Sequence, residues 1–364
     1  MQLAIVADWL PVFAGAEHVI AEFHAMWPDA PIFTTVTHRE NIGPLKHADI
    51  RTTYLQTPYR LSGKHQWLLP WMPQAIESIN LHGYDTILSS SHAIGKGIIP
   101  PSTARHVCYC HTPMRYAWEM EDEYLDDFNI PQFLRRAIKQ KLKHIRRWDM
   151  TSAMRVDTFI ANSTTTQKRI ARVYNRDSIV IHPPVSERFF EYISTSVSKD
   201  YYLAIGRLVP YKRFDLLIET ANRLKLPLKI AGSGQEGAKL KAMAGPTVEM
   251  LGFVPDSDLP DLYSNARALL FPQFEDAGVV PLEAQACGTP VIAYGKGGVL
   301  DTIKNGETGL YFNEQTVDSL TDAIQKFETM TFDPVAISSF ASQFSARQFK
   351  KRMQNVIFPL HKEK

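Results

Sequence analysis

Short apolar runs alternate with longer stretches of helical period along nearly the whole chain, and the alternation stops once and then restarts. In the first half the runs are Leu3–Ala7, Ile32–Val36, Thr86–Ser89, His106–Cys110, Thr158–Ala161 and Ile179–His182, rich in Val, Ile and Thr and bounded by turn residues. Helical patterns such as Ala16–Trp27 and Thr164–Tyr174 lie between them. Strand, helix, strand in succession requires right-handed crossovers, hence parallel strands in a doubly wound α/β sheet. The rhythm breaks at His182-Pro183-Pro184-Val185 and the polar Ser194–Asp200, which read as a linker. It resumes with Tyr202–Ile205, Leu228–Ala231, Val248–Leu251, Ala268–Phe271, Val291–Tyr294 and Gly309–Phe312. We therefore expect two doubly wound domains, 1–185 and 186–343, with a helical pattern over 344–358 crossing back to the first. Ligands in such sheets bind at the carboxyl ends of the strands, so two domains in series predict a cleft where both sets of ends meet.

Composition narrows the function classes. A chain of 364 residues with 45% hydrophobic and 21% charged residues is ordinary globular material, neither disordered nor fibrous. With 40 basic against 38 acidic residues, nothing points to nucleic acid. No stretch approaches the roughly 18 apolar residues of a membrane span. The start, Met1–Asp8, reads as a buried strand rather than an export signal, so a cytoplasmic protein is expected. Cys108 and Cys110 share a strand face and Cys287 stands apart; reduced core thiols fit better than a disulfide framework or a zinc site.

Three features of the second half carry chemistry. Ala204-Ile205-Gly206-Arg207-Leu208-Val209-Pro210-Tyr211-Lys212-Arg213 ends a strand in glycine and places Arg207 and Lys212 on the following loop. A guanidinium offers phosphate a planar fork and an ammonium a point charge; a solvated basic loop is the plainer alternative. Ala231-Gly232-Ser233-Gly234 is a glycine loop that either lets backbone approach a ligand or simply turns. Phe274-Glu275-Asp276-Ala277-Gly278-Val279-Val280-Pro281-Leu282-Glu283 sets two carboxylates eight residues apart around a helix start. Free N–H groups over Ala277–Val280 would form the first turn, an anion site by dipole and by geometry. A diphosphate would sit there, neutralised by Arg207 and Lys212, with each glutamate free to accept hydroxyl hydrogen bonds at one end of the ligand. A helix-face carboxylate plus a first-turn charge is the alternative.

The E-x7-E segment, with Gly-Arg-Leu…Lys ahead of it, resembles the retaining glycosyltransferases of family 4, which have the GT-B fold of two Rossmann-like domains. Gly252-Phe253-Val254-Pro255-Asp256, Gly297-Gly298 and Asn305-Gly306-Glu307-Thr308-Gly309-Leu310 match as well, and Ala14-Gly15-Ala16-Glu17 resembles the family's Gly-Gly-Ala-Glu loop. The likeness covers nearly the whole chain. Cys110-His111-Thr112-Pro113-Met114-Arg115-Tyr116-Ala117-Trp118, Arg155-Val156-Asp157, Ile160-Ala161-Asn162-Ser163 and His182-Pro183-Pro184-Val185 carry a closer resemblance, to bacterial O-antigen and exopolysaccharide mannosyltransferases. That subgroup has an aromatic residue where this chain has Ala277, which leaves more room beside the sugar.

The resemblance implies a nucleotide-sugar donor, GDP-mannose in the subgroup, and a lipid-linked saccharide acceptor, with no cofactor and no metal. Arg207 and Lys212 would bind the diphosphate, Glu283 the ribose hydroxyls and Glu275 those of the donor sugar. The Gly15 loop would approach the phosphates, and His111, at a strand end, the donor sugar or the acceptor. Gly232, Val254, Ala277, Gly278 and Val279 complete the donor contacts. Asp256 either reads the N1–H and amine edge of guanine or is a helix-start charge; Asp256-Ser257-Asp258 also spells a metal-binding Asp-x-Asp, against which the helix-start context argues. The leaving nucleotide would be stabilised by the cations, and substitution would proceed with retention.

Phe133–Trp148 sets Leu134, Ile138, Leu142, Ile145 and Trp148 on one helical face and Arg135, Arg136, Lys139, Lys141, Lys143, Arg146 and Arg147 around the rest. A basic amphipathic helix reads as a membrane-surface element; a core helix with a solvated basic face has the same pattern. Trp67–Met72, a Pro-broken aromatic loop, would dip into a bilayer or be covered by protein. The acidic run from Glu119 to Asp127 is read as a solvated loop pairing with the basic helix, and the Asn162-Ser163-Thr164 sequon as uninformative. The function expected is hexosyl transfer, most specifically mannosyl transfer, at the inner face of the cytoplasmic membrane. The rivals are a UDP- or dTDP-sugar transferase, an epimerase of similar architecture and a non-catalytic scaffold.

Overall fold

The computed structural model describes residues 2–118, 132–193 and 199–358. They form two compact units, one of Met1–His182 with Arg352–Lys364 and one of Pro183–Lys351.

The first unit holds a seven-stranded parallel sheet in the order β3-β2-β1-β4-β5-β6-β7. Its strands are β1 (Leu3–Ala7), β2 (Ile32–Thr34), β3 (Ile50–Thr52), β4 (Thr86–Ser91), β5 (Arg105–Cys110), β6 (Thr158–Ala161) and β7 (Ser178–Val180). β1 and β4 are buried at every residue because helices cover both sheet faces, and such strands read as continuous apolar runs. β3 was not expected. It is an edge strand of three residues in which only Ile50 is buried, so it lacks an apolar run. β2 and β7 stop short of the expected Val36 and His182, while β4 runs two residues past Ser89. The order reverses at β1, whose neighbours are β2 and β4. That reversal makes the β1/β4 boundary the topological switch point of this unit.

The second unit repeats the plan with six parallel strands in the order β10-β9-β8-β11-β12-β13. They are β8 (Tyr201–Ile205), β9 (Leu228–Ala231), β10 (Val248–Gly252), β11 (Ala266–Phe271), β12 (Val291–Tyr294) and β13 (Gly309–Phe312). Its switch point lies between β8 and β11, with apolar clusters on both sheet faces. The Ala346–Ile357 helix straddles the division at Arg352, and Arg105 at the start of β5 donates to Val356 O at 2.9 Å and Ile357 O at 3.3 Å.

The basic helix spans Gln132–Ala153, longer at both ends than expected. Leu142 and Ile145 are buried in the first unit's core and Trp148 packs against it, with its Nε1 donating to Glu77 at 2.8 Å. The next residue, Asp149, is fully buried and accepts from Lys96 Nζ at 2.5 Å, Trp118 Nε1 at 2.7 Å and Tyr174 OH at 2.8 Å. This corrects the membrane reading for the Leu142–Trp148 part of the face. Lifting those side chains out would strip roughly 1.5–3 kcal/mol each from the core. The Leu134 and Ile138 side chains, and the acidic run from Glu119 to Asp127, lie outside the described residues. The three cysteines are buried and unpaired, and the sequon Asn162 is buried, with Ser163 capping the Thr164–Tyr174 helix. No described helix is long and apolar enough to cross a membrane.

Candidate functional site

In the second unit the loops that follow β8 and β9 are laced together by backbone. Leu208 N donates to Ser233 O at 3.0 Å and Glu236 N to Leu208 O at 3.0 Å. A Cβ at Gly232 would lie 1.9 Å from Gly206 O, and one at Gly234 2.4 Å from Leu208 O. Gly232 is thus demanded by backbone packing. The lacing supports the turn Pro210–Lys212. Lys212 is largely buried and its Nζ meets Glu275 Oε1 at 2.8 Å, whereas Arg207 is exposed.

Glu275 sits on the loop between β11 and the Val279–Ala286 helix. Its carbonyl accepts from Gly298 N at 2.9 Å, and a Cβ at Gly297 or Gly298 would fall 2.3 Å from Glu275 O or 2.4 Å from Asp276 O. The Gly297-Gly298 turn therefore clamps the carboxylate loop in a way only glycine permits. The helix starts one residue after Gly278, which adopts φ 67° as the N-cap. That corrects the expected Ala277–Val280 first turn, since Ala277 precedes the cap. No side chain caps this end and its first turn holds no acid, so its N–H groups meet the requirements of an anion site. At the other end Gly288, at φ 74°, closes a Schellman motif: Thr289 N donates to Ala284 O and Gly288 N to Gln285 O, both at 2.9 Å.

Glu283 is half-buried and accepts from Tyr263 OH at 2.9 Å. Burial raises its pKa from 4.5 to about 7; the Tyr263 hydrogen bond and Arg188 oppose the rise and Asp256 adds to it. Contrary to the expectation from sequence, neither glutamate is free: Glu275 neutralises Lys212, and Glu283 is engaged by Tyr263.

Asp256 is exposed on the turn after β10, 3.5 Å from Arg188 Nη2. The helix that follows begins at Leu259 with Asp258 as its N-cap, so Asp256 is not the helix-start charge. Val254 is half-buried on the same turn. Ser257 Oγ donates to Asp258 at 2.8 Å, and no group of three His, Cys, Asp or Glu among the described residues is arranged to hold a metal ion.

In the first unit His111 follows β5, with its Nε2 2.8 Å from Ser90 Oγ. Gly15 opens the Gly15–Met26 helix, and a Cβ there would meet no atom within 4 Å, so packing does not explain this glycine. Glu17 accepts from Ala14 N at 3.1 Å. A second group escaped the sequence reading. Asp8, buried after β1, accepts from Ser91 Oγ at 3.0 Å, His92 N at 2.7 Å, Ala93 N at 3.1 Å and Ile94 N at 2.6 Å, and also from Gly95 N. Its carboxylate also meets His92 Nδ1 at 2.8 Å. These partners lie more than 80 positions away, so no local spacing announces them. On the His65–Trp71 turn, Leu68 and Leu69 are buried while Trp67 and Trp71 are 61% and 51% exposed, near Leu61 at 87%.

Comparison with known proteins agrees with this architecture. Residues 13–189 match the sequence family Glycosyltransferase Family 4, and residues 185–343 match Glycosyl transferases group 1. A D-inositol 3-phosphate glycosyltransferase of Mycolicibacterium paratuberculosis is 27% identical over 46% of this chain and 44% of its own length. A mannosylfructose-phosphate synthase of Agrobacterium fabrum is 26% identical over 68% of this chain and 62% of its own. The chain thus spans less than two thirds of these relatives. Among solved structures, Anabaena HepE in complex with UDP superposes with a TM-score of 0.73 at 17% identity, over 99% of this chain and 100% of that one. Sucrose-phosphate synthase from Thermosynechococcus elongatus gives 0.70 at 18% identity over 98% of each chain. The two matches overlap at residues 185–189 and together span 13–343, so each half of the chain matches a glycosyltransferase family, and the chain has the GT-B fold of two Rossmann-like units.

Proposed function

We propose that this chain is a retaining hexosyltransferase that moves mannose from GDP-mannose to a polyprenyl-diphosphate-linked or other lipid-linked saccharide in bacterial surface polysaccharide synthesis. The observation that carries the reading is the Lys212–Glu275 pair beside an uncapped helix N-terminus that holds Glu283 one turn further on. Donor binding exchanges that internal pair for ligand contacts: the diphosphate takes Lys212, Arg207 and the N–H groups at Gly278 and Val279, and the sugar's hydroxyls take Glu275. Ribose hydroxyls replace the Tyr263 hydroxyl on Glu283. Preorganised positive charge then stabilises the departing nucleoside diphosphate without a metal, and His111 contacts the donor sugar or the acceptor. Asp256, exposed and held only loosely by Arg188, supports guanine.

A UDP-hexose is the second reading. HepE is described in complex with UDP-glucose, and Ala277 leaves space beside the sugar. Incubation with GDP-mannose, UDP-glucose and UDP-galactose, followed by product analysis, separates the two; turnover of a UDP-hexose with none of GDP-mannose overturns the mannose reading.

The acceptor places the enzyme on the cytoplasmic face of the membrane. Leu61, Trp67 and Trp71, all exposed, support lipid contact there, since Arg60 and Lys64 lie among them in the sequence. Trp67→Ala/Trp71→Ala should lose sedimentation with anionic vesicles while keeping nucleotide affinity. Unchanged sedimentation would remove this surface from the proposal.

A further inference from the structure

His92 stands at the carboxyl end of β4, beside the end of β1, at the reversal of strand order in the first unit. Open parallel sheets take their ligands at such a reversal. The ring is held from behind: Nδ1 meets Asp8 at 2.8 Å, and Asp8, with a side chain 1% exposed, is itself fixed by Ser91 and the amides of His92 to Gly95. An aspartate that accepts from four successive amides and a serine already anchors the β4 loop. The imidazole is the group that this anchor orients. Its side chain is 29% exposed, and among the described residues Nε2 has no hydrogen-bond partner. Trp9 meets the ring edge-on at 4.9 Å and His111 at 6.3 Å, so the imidazole is confined at its sides and open at Nε2. With Nδ1–H committed to Asp8, the neutral ring presents a lone pair at Nε2.

We infer that His92 is an acceptor-binding residue whose Nε2 takes a hydrogen bond from a hydroxyl of a saccharide or polyol acceptor, and that Asp8 is the positioning residue that sets its tautomer and direction. The inference rests on the glycosyl-transfer reading and names the residue in the first unit that holds the second substrate. Protonation would turn Nε2 from acceptor to donor, so that the hydroxyl could no longer donate to it. Several charged groups face the ring: Asp8 from β1, Glu17 from the helix after it, Lys96 from the β4 loop, and the histidines His65 and His111. Burial depresses the pKa of His92, but the charge and hydrogen bond of Asp8, with Glu17, outweigh burial and Lys96 and leave it above the usual value. Use of the acceptor should therefore fall as pH drops through that raised pKa.

The test is steady-state kinetics of the full chain with separate KM values for donor and acceptor, together with melting curves. His92→Phe, which keeps the ring's bulk and removes the acceptor, should lower kcat/KM for the acceptor by about tenfold, the scale of one lost hydrogen bond, at unchanged donor KM and Tm. It should also abolish the acid limb of the acceptor pH profile. Asp8→Asn should move that limb to lower pH. Should Asp8→Asn fail to fold, the His92→Phe profile decides alone. An unchanged acceptor kcat/KM and acid limb in His92→Phe overturns the inference while leaving transferase activity established. A parallel loss of donor KM and Tm assigns His92 a structural role and also overturns it. A wild-type chain that transfers no sugar from any donor overturns the functional reading and the inference together.

Discussion

Glu283 is kept at a cost to the fold, and replacing it should expose that cost. In the folded unit its pKa stands at about 7, against 4.5 for an ordinary glutamate. One pH unit of displacement corresponds to about 1.4 kcal/mol, so the ionised form costs the native state about 3 kcal/mol. The sign follows from linkage: a raised carboxyl pKa stabilises the folded state below the unfolded value, and that contribution is lost as pH rises through the folded value. Wild type and Glu283→Gln should thus be nearly equal near pH 4.5 and diverge up to pH 8. The neutral amide, still able to accept from Tyr263, should be more stable at pH 8 by up to about 3 kcal/mol. At about 2–4 °C per kcal/mol for a unit of this size, calorimetry should register a rise in Tm of roughly 6–12 °C. The same substitution should weaken donor-nucleotide binding, because ribose hydroxyls need the carboxylate, and wild-type affinity should strengthen as pH rises through about 7. A difference in Tm that stays constant with pH would refute the reasoning, because it would mean that Glu283 is not held protonated by burial.

Two further perturbations test the framework around the sites. Gly298→Ala puts a methyl 2.4 Å from Asp276 O; it should displace the Glu275 loop and weaken nucleotide binding tenfold or more by calorimetry, whereas Gly15→Ala, with open space at its Cβ, should leave Tm unchanged. Asp149→Ala strands the buried Lys96 ammonium on a single carbonyl and should cost about 3–5 kcal/mol in denaturant unfolding, while Lys96→Met/Asp149→Asn, which removes both charges and keeps an acceptor for Trp118 and Tyr174, should cost clearly less; equal losses in the two variants would show that the pair's charge is not what matters.

The alternation of apolar runs was enough to specify two doubly wound sheets, because parallel strands covered on both faces must be apolar throughout. The motifs around Lys212, Glu275 and Glu283 were legible for a similar reason. Each sits at a strand end or helix start that the same pattern locates, and local turn chemistry does the rest. β3 escaped because an edge strand with one buried residue leaves no run to read. What only the tertiary structure decided were partnerships between distant segments and the destination of amphipathic faces. Nothing near Asp8 indicates that it would gather four amides and a histidine from a loop more than 80 residues away. Lys212 and Glu275 were both identified as ligand groups, yet their pairing depends on the switch point bringing the β8 and β11 loops together. The basic helix and the Trp67–Trp71 turn looked alike as membrane elements. Periodicity records that a face is apolar, not whether protein or lipid covers it; packing buried Leu142 and Ile145, partly covered Trp148 and left Trp67 and Trp71 outside.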